Sequence, residues 1–367
     1  MDLLILLRKE FSAIRGNLAM FVVLLILLPG MFVGVTAVYE QTIPEDIALG
    51  MAPANENVTE DEYALVEPVI ADGQGLDFDG FGTVERFEDR NESERALERE
   101  EVYVVIEVPD GYLADSDGDD TNFTLLMDNS FTLLQEPLNE TGGIIETQLH
   151  ATGQVHNDTT VHMDGVGEER SLPEFLIPAV LLSFVVLYGM VYIPYQVRGE
   201  RLVMDRLQTE TSLEYVVLSK LIFYGLLLAI PAAVVVAMTM GMGYNIAALS
   251  PFSLLVLVLT FLYLGAFSLA VLFFLQLEKT GLFLNVGLAI ISLALSAMLF
   301  PVGFFSSIER VIASILPTWY SVASMRSAML RDVSFVQYAD YIGYMAAAVV
   351  VGLVLLKLSL VYYRRTR

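Results

Sequence analysis

One acidic stretch in the first half of the chain has residue types that bind calcium. Residues 115–120 read DSDGDD, which resembles the start of a calcium loop. An EF-hand loop needs a glycine at its sixth position and a glutamate at its twelfth. Counted from Asp115, the glycine is fourth, and the twelfth residue is Leu126, which has no carboxylate. A solvated turn is therefore favoured over specific calcium binding.

Three regularly spaced histidines raise the question of zinc. His150, His156 and His162 recur every six residues, so they would share a face on a strand but not on a helix. The chain has no cysteine that could complete such a site. We therefore predict neither a metal site nor a catalytic residue in this chain.

Motifs for energy-driven chemistry are absent from the sequence. It contains no G-x-x-x-x-G-K-[ST] phosphate loop, so the chain is not expected to hydrolyse ATP itself. Its long apolar runs lack the mid-depth ionisable residues of proton-coupled carriers, and they lack a histidine that would activate a serine. Any work that the chain performs must therefore be driven by a partner on the cytoplasmic side.

A dense group of charges lies at 196–220, QVRGERLVMDRLQTETSLEYVVLSK, between two apolar runs. The charged residues are half basic and half acidic: Arg198, Arg201, Arg206, Lys220, Glu200, Asp205, Glu210 and Glu214. Holding the basic groups at mid-membrane would cost on the order of 10 kcal/mol, at ~2.5–3.5 kcal/mol each. The segment is therefore predicted to lie in the cytoplasm.

The segment 196–220 is predicted to contain a short helix and then the start of a membrane helix. Residues 201–210 offer i,i+4 ion pairs, with Val203 and Leu207 on another face. After a break, the capping box at 211–214, TSLE, begins the next helix. A short helix joined rigidly to a span can transmit a push from a docked motor; an ordinary charged loop is the alternative.

Six stretches of the chain are long and apolar enough to cross a membrane, which takes about 20 residues. The chain is 55% hydrophobic and its mean hydropathy is +0.59. The predicted spans lie near 18–38, 175–195, 221–241, 251–275, 281–301 and 341–360. Pro231 and Pro301 are predicted to kink the third and fifth of them. The fold class is therefore a polytopic α-helical membrane protein with six transmembrane helices.

The first apolar run follows basic residues, as the core of a signal peptide would. It extends over 18–38, which is longer than the ~7–15 residues of a signal core. An uncleaved transmembrane helix at 17–38 is therefore favoured, preceded by a cytoplasmic interfacial helix at 1–16. Cleavage after the small residues at 35–37 is the alternative.

The basic residues also indicate which side each loop occupies. With the N-terminus in the cytoplasm, all the lysines and most of the arginines near span ends lie on the inner side, as the positive-inside rule requires. Both termini, including the tail at 364–367, are then cytoplasmic in a multi-pass protein of the cell membrane. Helices 2–6 occupy 173–363, with short outer helices at 303–338.

A large acidic domain is predicted outside the membrane at 39–172, inserted between helices 1 and 2. It has 33 acidic residues and five arginines, a net charge of −28 in a chain whose total is −24. Solubility in high salt is favoured over cation binding, because carboxylates keep a surface hydrated. The domain also carries the N-x-[ST] sequons, which are candidate glycosylation sites: Asn57, Asn91, Asn122, Asn139 and Asn157.

The middle of this acidic domain is predicted to be an α/β fold. VYVVIEVPDGYL at 102–113 is rich in β-branched residues and ends in a Pro-Asp-Gly turn, and TNFTLLMD at 121–128 follows it. Both are predicted strands. SERALEREEV at 93–102 precedes them and has helical spacing.

The fifth predicted span carries polar residues near one helical face. Asn285, Ser292 and Ser296 are separated by seven and four residues. They are candidates for lining a dimer seam or a substrate path. Hydrogen bonding between neighbouring helices is the alternative, and the more usual role of such residues.

The segment 196–220 resembles the first cytoplasmic loop of the permeases of type 2 ATP-binding cassette (ABC) transporters. That loop typically reads like E-r-x-x-G-T-l-e-x-L, followed by s and then G-K-l. The matching residues here, in order, are Glu200, Arg201, Leu207, Ser212, Lys220 and Leu221. The chain departs from the pattern after Glu200 and Arg201, where it lacks the expected Gly-Thr, and near Glu210, where a proline is usual.

Further similarity to the same permeases extends over nearly the whole chain. LLRKEFSAIRGN resembles their N-terminal interfacial helix, with an apolar stripe formed by Leu7, Phe11 and Ile14. VYVVIEVPDGYLAD resembles a strand of their outer domain. Residues 301–330 resemble their short outer helices between the last two spans.

The resemblance implies the permease subunit of an ABC exporter, paired with a second copy or a paralogue. ATP and Mg²⁺ would be bound by separate ATPase subunits, so no cofactor is expected in this chain. Membrane lipid is the other expected partner, and nucleic acid is not. The resemblance also implies a main coupling contact and secondary contacts with the ATPase. These are, respectively, Glu200, Arg201, Asp205, Arg206 and Leu207, and then Arg8, Lys9, Glu10, Glu278 and Lys279.

Two alternatives remain at this point. The charges assigned to coupling could be hydrated anchors that obey the positive-inside rule. The whole chain could instead be a membrane-anchored surface or assembly protein whose acidic outer domain binds a partner. An adjacent gene that encodes a phosphate loop would favour the transporter.

Overall fold

A computed structural model describes most of the chain from Leu49 onward. The described ranges are 49–55, 57–71, 84–113, 122–129, 160–168, 170–202, 211–244, 250–298, 307–331 and 335–366, with the single positions 143, 146, 147, 149, 150, 204, 206, 246 and 333. They fall into two compact units. One is an α/β unit formed by residues 36–175 and 300–312, and the other is a helical unit formed by 176–299 and 313–367.

The α/β unit is built on a mixed five-stranded sheet of order β2-β1-β3-β4-β5. Strand β1 is parallel to β2 and β3, β3 is antiparallel to β4, and β4 is parallel to β5. The strands are β1 (Leu49–Pro53), β2 (Val84–Arg86), β3 (Val104–Val108), β4 (Asn122–Asp128) and β5 (Thr160–Val166). Two helices accompany them, α1 (Glu60–Ala71) and α2 (Arg90–Glu98).

The centre of this sheet is formed where the sequence predicts strands. Strand β3 is buried along its whole length, as its β-branched sequence VVIEV favours. It pairs with β4 so that Val105 faces Leu126, and both belong to the core on which α2 packs. The strand predictions at 102–113 and 121–128 are confirmed.

Helix α2 begins earlier than the predicted 93–102 and also ends earlier. Asp89 is its N-cap and accepts a hydrogen bond from the Glu92 amide at 2.7 Å, which fixes the start of the helix. Glu100 adopts φ 62°, a left-handed conformation that cannot continue a helix. The prediction of a helix was therefore correct, but the Asp89 cap and the turn at Glu100 set the bounds of the helix.

The helical unit begins with α3 (Leu172–Leu187), a π-helical segment (Tyr188–Tyr192) and α4 (Ile193–Gly199), which form one continuous rod. Its remaining helices are α5 (Leu213–Leu227), α6 (Ala229–Met242), α7 (Pro251–Phe274), α8 (Lys279–Leu295), α10 (Pro317–Leu330) and α11 (Ala339–Arg365), the last preceded by a 3₁₀ turn at Phe335–Tyr338. Helix α9 (Ser307–Ile315) lies across the boundary between the two units.

Four helical stretches of the described residues are long and apolar enough to cross a membrane. They are Leu172–Gly199, Leu213–Met242, Pro251–Phe274 and Phe335–Arg365, and they coincide with four of the predicted spans. The fifth predicted span, 281–301, overlaps α8, which has only 17 residues. The first, 18–38, lies outside the described residues. The chain is thus a mostly helical, polytopic membrane protein.

The predicted kink at Pro231 is present as a break between α5 and α6. Proline at 231 has no N–H to bond the carbonyl of Leu227, and its ring crowds that carbonyl. The Leu228 amide instead bonds the Gly225 carbonyl at 3.2 Å, and the helix restarts at Ala229. Pro301 lies outside the described residues.

Helices α7 and α11 run parallel and pack against each other from one end to the other. The rings of Phe252 and Tyr338 lie 5.6 Å apart at one end, and those of Phe273 and Tyr363 lie 5.4 Å apart at the other. Gly352 permits this approach, because a Cβ there would lie 3.3 Å from the Tyr263 carbonyl.

Helix α10 lies antiparallel along the first half of α7. The Ser250 hydroxyl donates to the Ala328 carbonyl at 3.3 Å, and the Thr260 hydroxyl donates to Ser321 at 2.9 Å. Since Thr260 lies about 14 Å along α7 from its first residue, the start of α10 is level with the middle of that span. Short helices were predicted at 303–338, and α10 is one that penetrates between the spans.

Candidate coupling site

Four chain segments meet at one end of the helical unit. Helix α4 ends there, α5 begins there, α7 turns into α8, and α11 ends. Stacked rings of Phe274 and Tyr362, 5.1 Å apart, join the ends of α7 and α11. An ion pair between Glu214 and Arg364 joins the start of α5 to the end of α11. This end holds the described members of the predicted coupling set.

A buried ion pair ties the loop after α4 to helix α5. The Lys220 ammonium donates to Glu200 at 2.9 Å, and the Lys220 side chain is 0% exposed while that of Glu200 is 16% exposed. Lys220 therefore lies inside the packed helices, whereas the sequence placed it at the end of a cytoplasmic loop. Glu200, predicted to contact the ATPase, uses a carboxylate oxygen for this internal contact.

The turn that follows Glu200 is helical and presents a hydrophobic side chain to the outside. The Met204 amide bonds the Glu200 carbonyl at 2.9 Å, and the Met204 side chain is fully buried. Leu202 is 83% exposed, Arg206 is exposed and Arg201 is half-buried. Met204 thus anchors the turn in the interior, while Leu202 and the arginines form its outer surface.

Leu202 is absent from the predicted coupling residues. The sequence analysis paired Val203 with Leu207 as the apolar face of this helix, and the side chains of both lie outside the described residues. The burial of Met204 explains the exposure of Leu202, because side chains two positions apart on a helix point to different faces.

Helix α5 begins one residue later than the predicted capping box. Ser212 is the N-cap, and its side chain accepts from the Tyr215 amide. Glu214, expected to close the box, instead pairs with Arg364 at the end of α11. Both side chains of this pair are 40% exposed, so it is a surface contact between two helix ends.

The turn between α7 and α8 is held in an unusual conformation. Gln276 and Leu277 adopt φ values of 55° and 57°, in the left-handed region that ordinary residues avoid. Leu277 is fully buried, and its amide bonds the Leu272 carbonyl at 2.9 Å. The turn therefore presents the exposed residues Glu278 and Lys279, both members of the predicted secondary contact, on a fixed backbone.

The other predicted coupling residues lie outside the described residues. These are Asp205 and Leu207 of the loop, and Arg8, Lys9 and Glu10 of the N-terminal segment. Their roles stay predictions.

The polar residues of the fifth predicted span all form contacts within the chain. Asn285 is fully buried and donates to the Ser268 carbonyl at 2.9 Å. Ser296 bonds Thr318 at the start of α10, and the Ser292 hydroxyl lies 4.0 Å from the sulfur of Met190. This geometry supports hydrogen bonding between helices, one of the two roles that the sequence left open.

Asn285 is also part of a series of hydrogen bonds that reaches a backbone carbonyl of the π-helical segment. The Ser268 hydroxyl donates to the Gly189 carbonyl at 2.7 Å, while the Ser268 carbonyl accepts from Asn285. A π-helical turn shifts the backbone register and leaves carbonyl groups that need such partners. The polar residues of α7 and α8 thus hold the segment through which α3 reaches α4.

A buried arginine reinforces the end of α8. Arg326 on α10 is 1% exposed, and its guanidinium donates to the Ala297 carbonyl at 2.8 Å. Ala297 adopts φ 54°, so its carbonyl has left the helical ladder. The positive charge of Arg326 near the C-terminal end of α8 also interacts favourably with the helix dipole.

Three of the five predicted glycosylation sites lie in the described part of the α/β unit. Asn57, Asn91 and Asn122 are exposed in the structure, whereas Asn139 and Asn157 lie outside the described residues. The predicted calcium-like loop at 115–120 also lies outside them. Among the described residues, no group of His, Cys, Asp or Glu side chains is placed to hold a metal ion.

One arginine of the α/β unit is surrounded by carboxylates. Arg90 lies 2.8 Å from Glu94, 3.3 Å from Glu107 and 3.1 Å from Asp164. Glu107 is on the central strand β3 with its side chain 5% exposed. Burial raises the pKa of the Glu107 carboxyl above its ordinary value, and Arg90 opposes this shift.

Comparison with known proteins gives one match. A family model described as ABC-2 family transporter protein matches residues 15–357. No curated protein and no solved structure matches the chain significantly. Permeases of this family are normally non-catalytic, and the ATPase is a partner subunit. The chain therefore belongs to the ABC-2 transporter family and is a multi-pass membrane permease of an ABC transporter.

Proposed function

We propose that the chain is the membrane-spanning subunit of an ABC exporter, driven at the end that carries Glu200 by separate ATPase subunits. These subunits bind the ATP and Mg²⁺. The observation that carries the proposal is the buried Glu200–Lys220 ion pair, which joins an exposed helical turn directly to helix α5. A force on that turn is transmitted to a membrane span without passing through a flexible linker.

The outward surface of the turn suits a protein partner. The Leu202 side chain is 83% exposed, and Arg201 and Arg206 lie on the same turn. The centres of protein interfaces are apolar and interfaces are enriched in arginine, so a leucine beside arginines suits such a contact. Asp205 and Leu207 complete this main contact in our proposal.

The α7–α8 turn provides a second, smaller contact. Glu278 and Lys279 are exposed on a backbone that the buried Leu277 holds in place. In our proposal these residues and Arg8, Lys9 and Glu10 touch the same ATPase subunit. The family resemblance implies a pair of permease chains, identical or paralogous, and two ATPase subunits, so each permease would receive one ATPase.

The topology belongs to the same proposal. Six membrane helices, with the first at 17–38, place both termini and the coupling site in the cytoplasm. The acidic α/β unit then faces the outside, where its exposed sequons can be glycosylated and its carboxylates keep it hydrated in salt. Export is the direction that the family resemblance implies.

The coupling role is tested with a double charge reversal, Arg201→Glu with Arg206→Glu. The chain is co-expressed with its candidate ATPase, and the complex is purified and reconstituted into liposomes. We expect the variant to lose most of the recovered complex and at least tenfold of the permease-dependent ATP hydrolysis, because both arginines face the partner. Transport of a fluorescent lipophilic cargo is measured in the same liposomes.

A matched control is Arg365→Glu, which reverses an exposed charge at the end of α11. It should leave complex recovery and ATP hydrolysis near the level of the unaltered chain. If the double variant assembles and works as well as this control, the residues 200–207 are not the coupling contact. A chain that never co-purifies with an ATPase would favour the surface-protein alternative.

A further inference from the structure

The rod formed by α3 and α4 changes its hydrogen-bond register at Tyr188–Tyr192. The Ile193 amide bonds the Tyr188 carbonyl, five residues back, whereas an α-helix would use the Gly189 carbonyl, four residues back. The π turn therefore holds one residue more than a continuous α-helix. One helical residue corresponds to a rotation of about 100°, so the extra residue rotates α4 by about that angle relative to α3.

Pro194 leaves one carbonyl of the rod without a backbone donor in either register. Proline has no N–H, so position 194 donates to no carbonyl. In the π register the carbonyl that loses its donor is that of Gly189, five residues back, and in an α register it would be that of Met190, four residues back. The π-helix is otherwise the rarer form. A group outside the rod is therefore needed to favour the π register.

Ser268 of α7 is that group. Its hydroxyl donates to the Gly189 carbonyl at 2.7 Å, which is the carbonyl that Pro194 leaves without a donor in the π register. The hydroxyl also lies 3.0 Å from the carbonyl of Gly265, which belongs to the regular hydrogen-bond ladder of α7. Ser268 is 0% exposed, and Asn285 holds its backbone by donating to its carbonyl at 2.9 Å.

The register at the π turn decides where the coupling turn lies. Helix α4 has only seven residues, and Glu200 directly follows it. The Glu200 carboxylate lies 2.9 Å from the Lys220 ammonium on α5. A rotation of α4 by about 100° would carry position 200 to another face of the rod and separate the two charges. The observed ion pair therefore requires the π register.

We infer that Ser268 is a positioning residue whose hydroxyl selects the π register and so sets the rotation of α4 and of the turn after it. Without this hydroxyl, Gly189 takes the Ile193 amide, the turn becomes α-helical, and α4 rotates. The consequence for ATP-driven transport rests on the proposed function. The orientation of α4 is a property of the chain alone and can be measured without an ATPase.

The test measures labelling of single cysteines on α4 by N-ethylmaleimide, in the full chain purified in detergent. Tyr195 is 49% exposed and Val197 is 0% exposed. In the α register each residue of α4 takes the place of the residue after it, so position 195 moves to the buried place of Gln196 and position 197 to the half-buried place of Arg198. We expect Ser268→Ala to slow labelling of Tyr195→Cys at least fivefold and to speed labelling of Val197→Cys at least fivefold.

Two further chains separate a change of register from a general loosening, which would raise both rates. Ser359→Ala removes an equally buried hydroxyl that bonds the Leu356 carbonyl of its own helix at 2.7 Å, and it should change neither rate. Deletion of Val191, the one residue of the π turn that is not buried, lets an α-helix place α4 where the π turn places it. The deletion should keep both rates by itself and should restore both when it is combined with Ser268→Ala.

The same chains are then co-expressed with the candidate ATPase. Ser268→Ala should lose at least fivefold of the permease-dependent ATP hydrolysis, and the added deletion of Val191 should restore it. Unchanged labelling in Ser268→Ala, a rise at both cysteines, or failure of the deletion to restore the rates would overturn the inference. Shifted labelling with unchanged ATP hydrolysis would overturn its consequence for coupling. An unaltered chain that stimulates no ATPase would contradict the proposed function, while the labelling rates would still decide the role of Ser268.

Discussion

The ammonium group of Lys220 lies 2.9 Å from the carboxylate of Glu200, and the Lys220 side chain has no exposure to solvent. The two residues belong to different helical segments, one at the end of α4 and one on α5. A charge inside packed helices is tolerated only when a partner stays with it. The pair therefore fixes the position of the turn after α4 relative to a membrane span.

Replacing Lys220 by Met should strongly destabilise the helical unit. The substitution removes the Lys220 charge from beside the largely buried Glu200 carboxylate, and breaking a buried pair costs about 3–5 kcal/mol. Combining Lys220→Met with Glu200→Gln should recover most of this loss, because the remaining charge is gone. Unfolding of the purified chain by SDS in mixed micelles measures the free energies.

The Glu214–Arg364 pair is a suitable control for that experiment. Its side chains are each 40% exposed, so water screens the interaction. Arg364→Ala should change the free energy of unfolding by less than about 1 kcal/mol. Equal losses in Lys220→Met and Arg364→Ala would contradict the role assigned to burial.

Replacing Gln276 by Gly should stabilise the α7–α8 turn. Gln276 has φ 55°, where a non-glycine residue is strained by about 1–2 kcal/mol, and its buried amide nitrogen has no hydrogen-bond partner among the described residues. Glycine adopts this conformation freely but loses more chain entropy on folding, so we expect a net gain of about 1 kcal/mol. The SDS titration used for Lys220 measures it.

Leu277→Gly is the matched variant at the next position. Leu277 has nearly the same φ, 57°, but its side chain is fully buried. Loss of a buried leucine costs about 2–5 kcal/mol, which exceeds the relief of strain, so this variant should be destabilised. If both glycine variants shift stability in the same direction, backbone strain and burial do not decide the behaviour of this turn.

Local patterns in the sequence were sufficient for strands β3 and β4 and for four of the six predicted spans, whereas β1, β2 and β5 were not predicted. The VVIEV of β3 and the uninterrupted apolar run of α7 each specify one element without reference to the rest of the chain. The break before Pro231 was predictable for the same reason, since it depends on the proline itself.

Tertiary pairing was beyond the reach of the sequence. In the sequence, Lys220 looks like a hydrated charge on the cytoplasmic side of the membrane. The burial of Lys220 is tolerated only because Glu200, on a neighbouring helical segment, pairs with it. Arg326 is buried for a comparable reason, because the Ala297 carbonyl meets its guanidinium. Leu202 could not be identified either, since the helical phase of its turn depends on the burial of Met204.

The stability of the α/β sheet should fall as pH rises through the titration of Glu107. Burial raises the pKa of this carboxyl in the folded chain, so its protonated form is favoured there. The stabilising contribution is complete below the unfolded pKa, about 4.3. It declines between that value and the folded pKa, and it stays lost at higher pH. Hydrogen exchange of the β3 amides in the full chain measures this.

Glu107→Gln should remove that part of the pH dependence. An uncharged amide at the same place has no proton to lose, and it does not add to the carboxylates Glu94 and Asp164 around Arg90. Glu85→Gln, at an exposed position of β2, is the control and should keep the profile of the unaltered chain. A Glu107→Gln profile with the original slope would show that another group controls the sheet.

The proposed topology predicts a clear pattern of labelling by a membrane-impermeant maleimide. The chain has no cysteine, so single cysteines can be introduced without background. In intact cells, Glu85→Cys in the α/β unit should be labelled, because exposed residues of that unit face the outside in our proposal. Lys279→Cys at the α7–α8 turn should be labelled only after the membrane is permeabilised. Labelling of Lys279→Cys in intact cells would place the coupling site on the wrong side for an ATPase that uses cytoplasmic ATP.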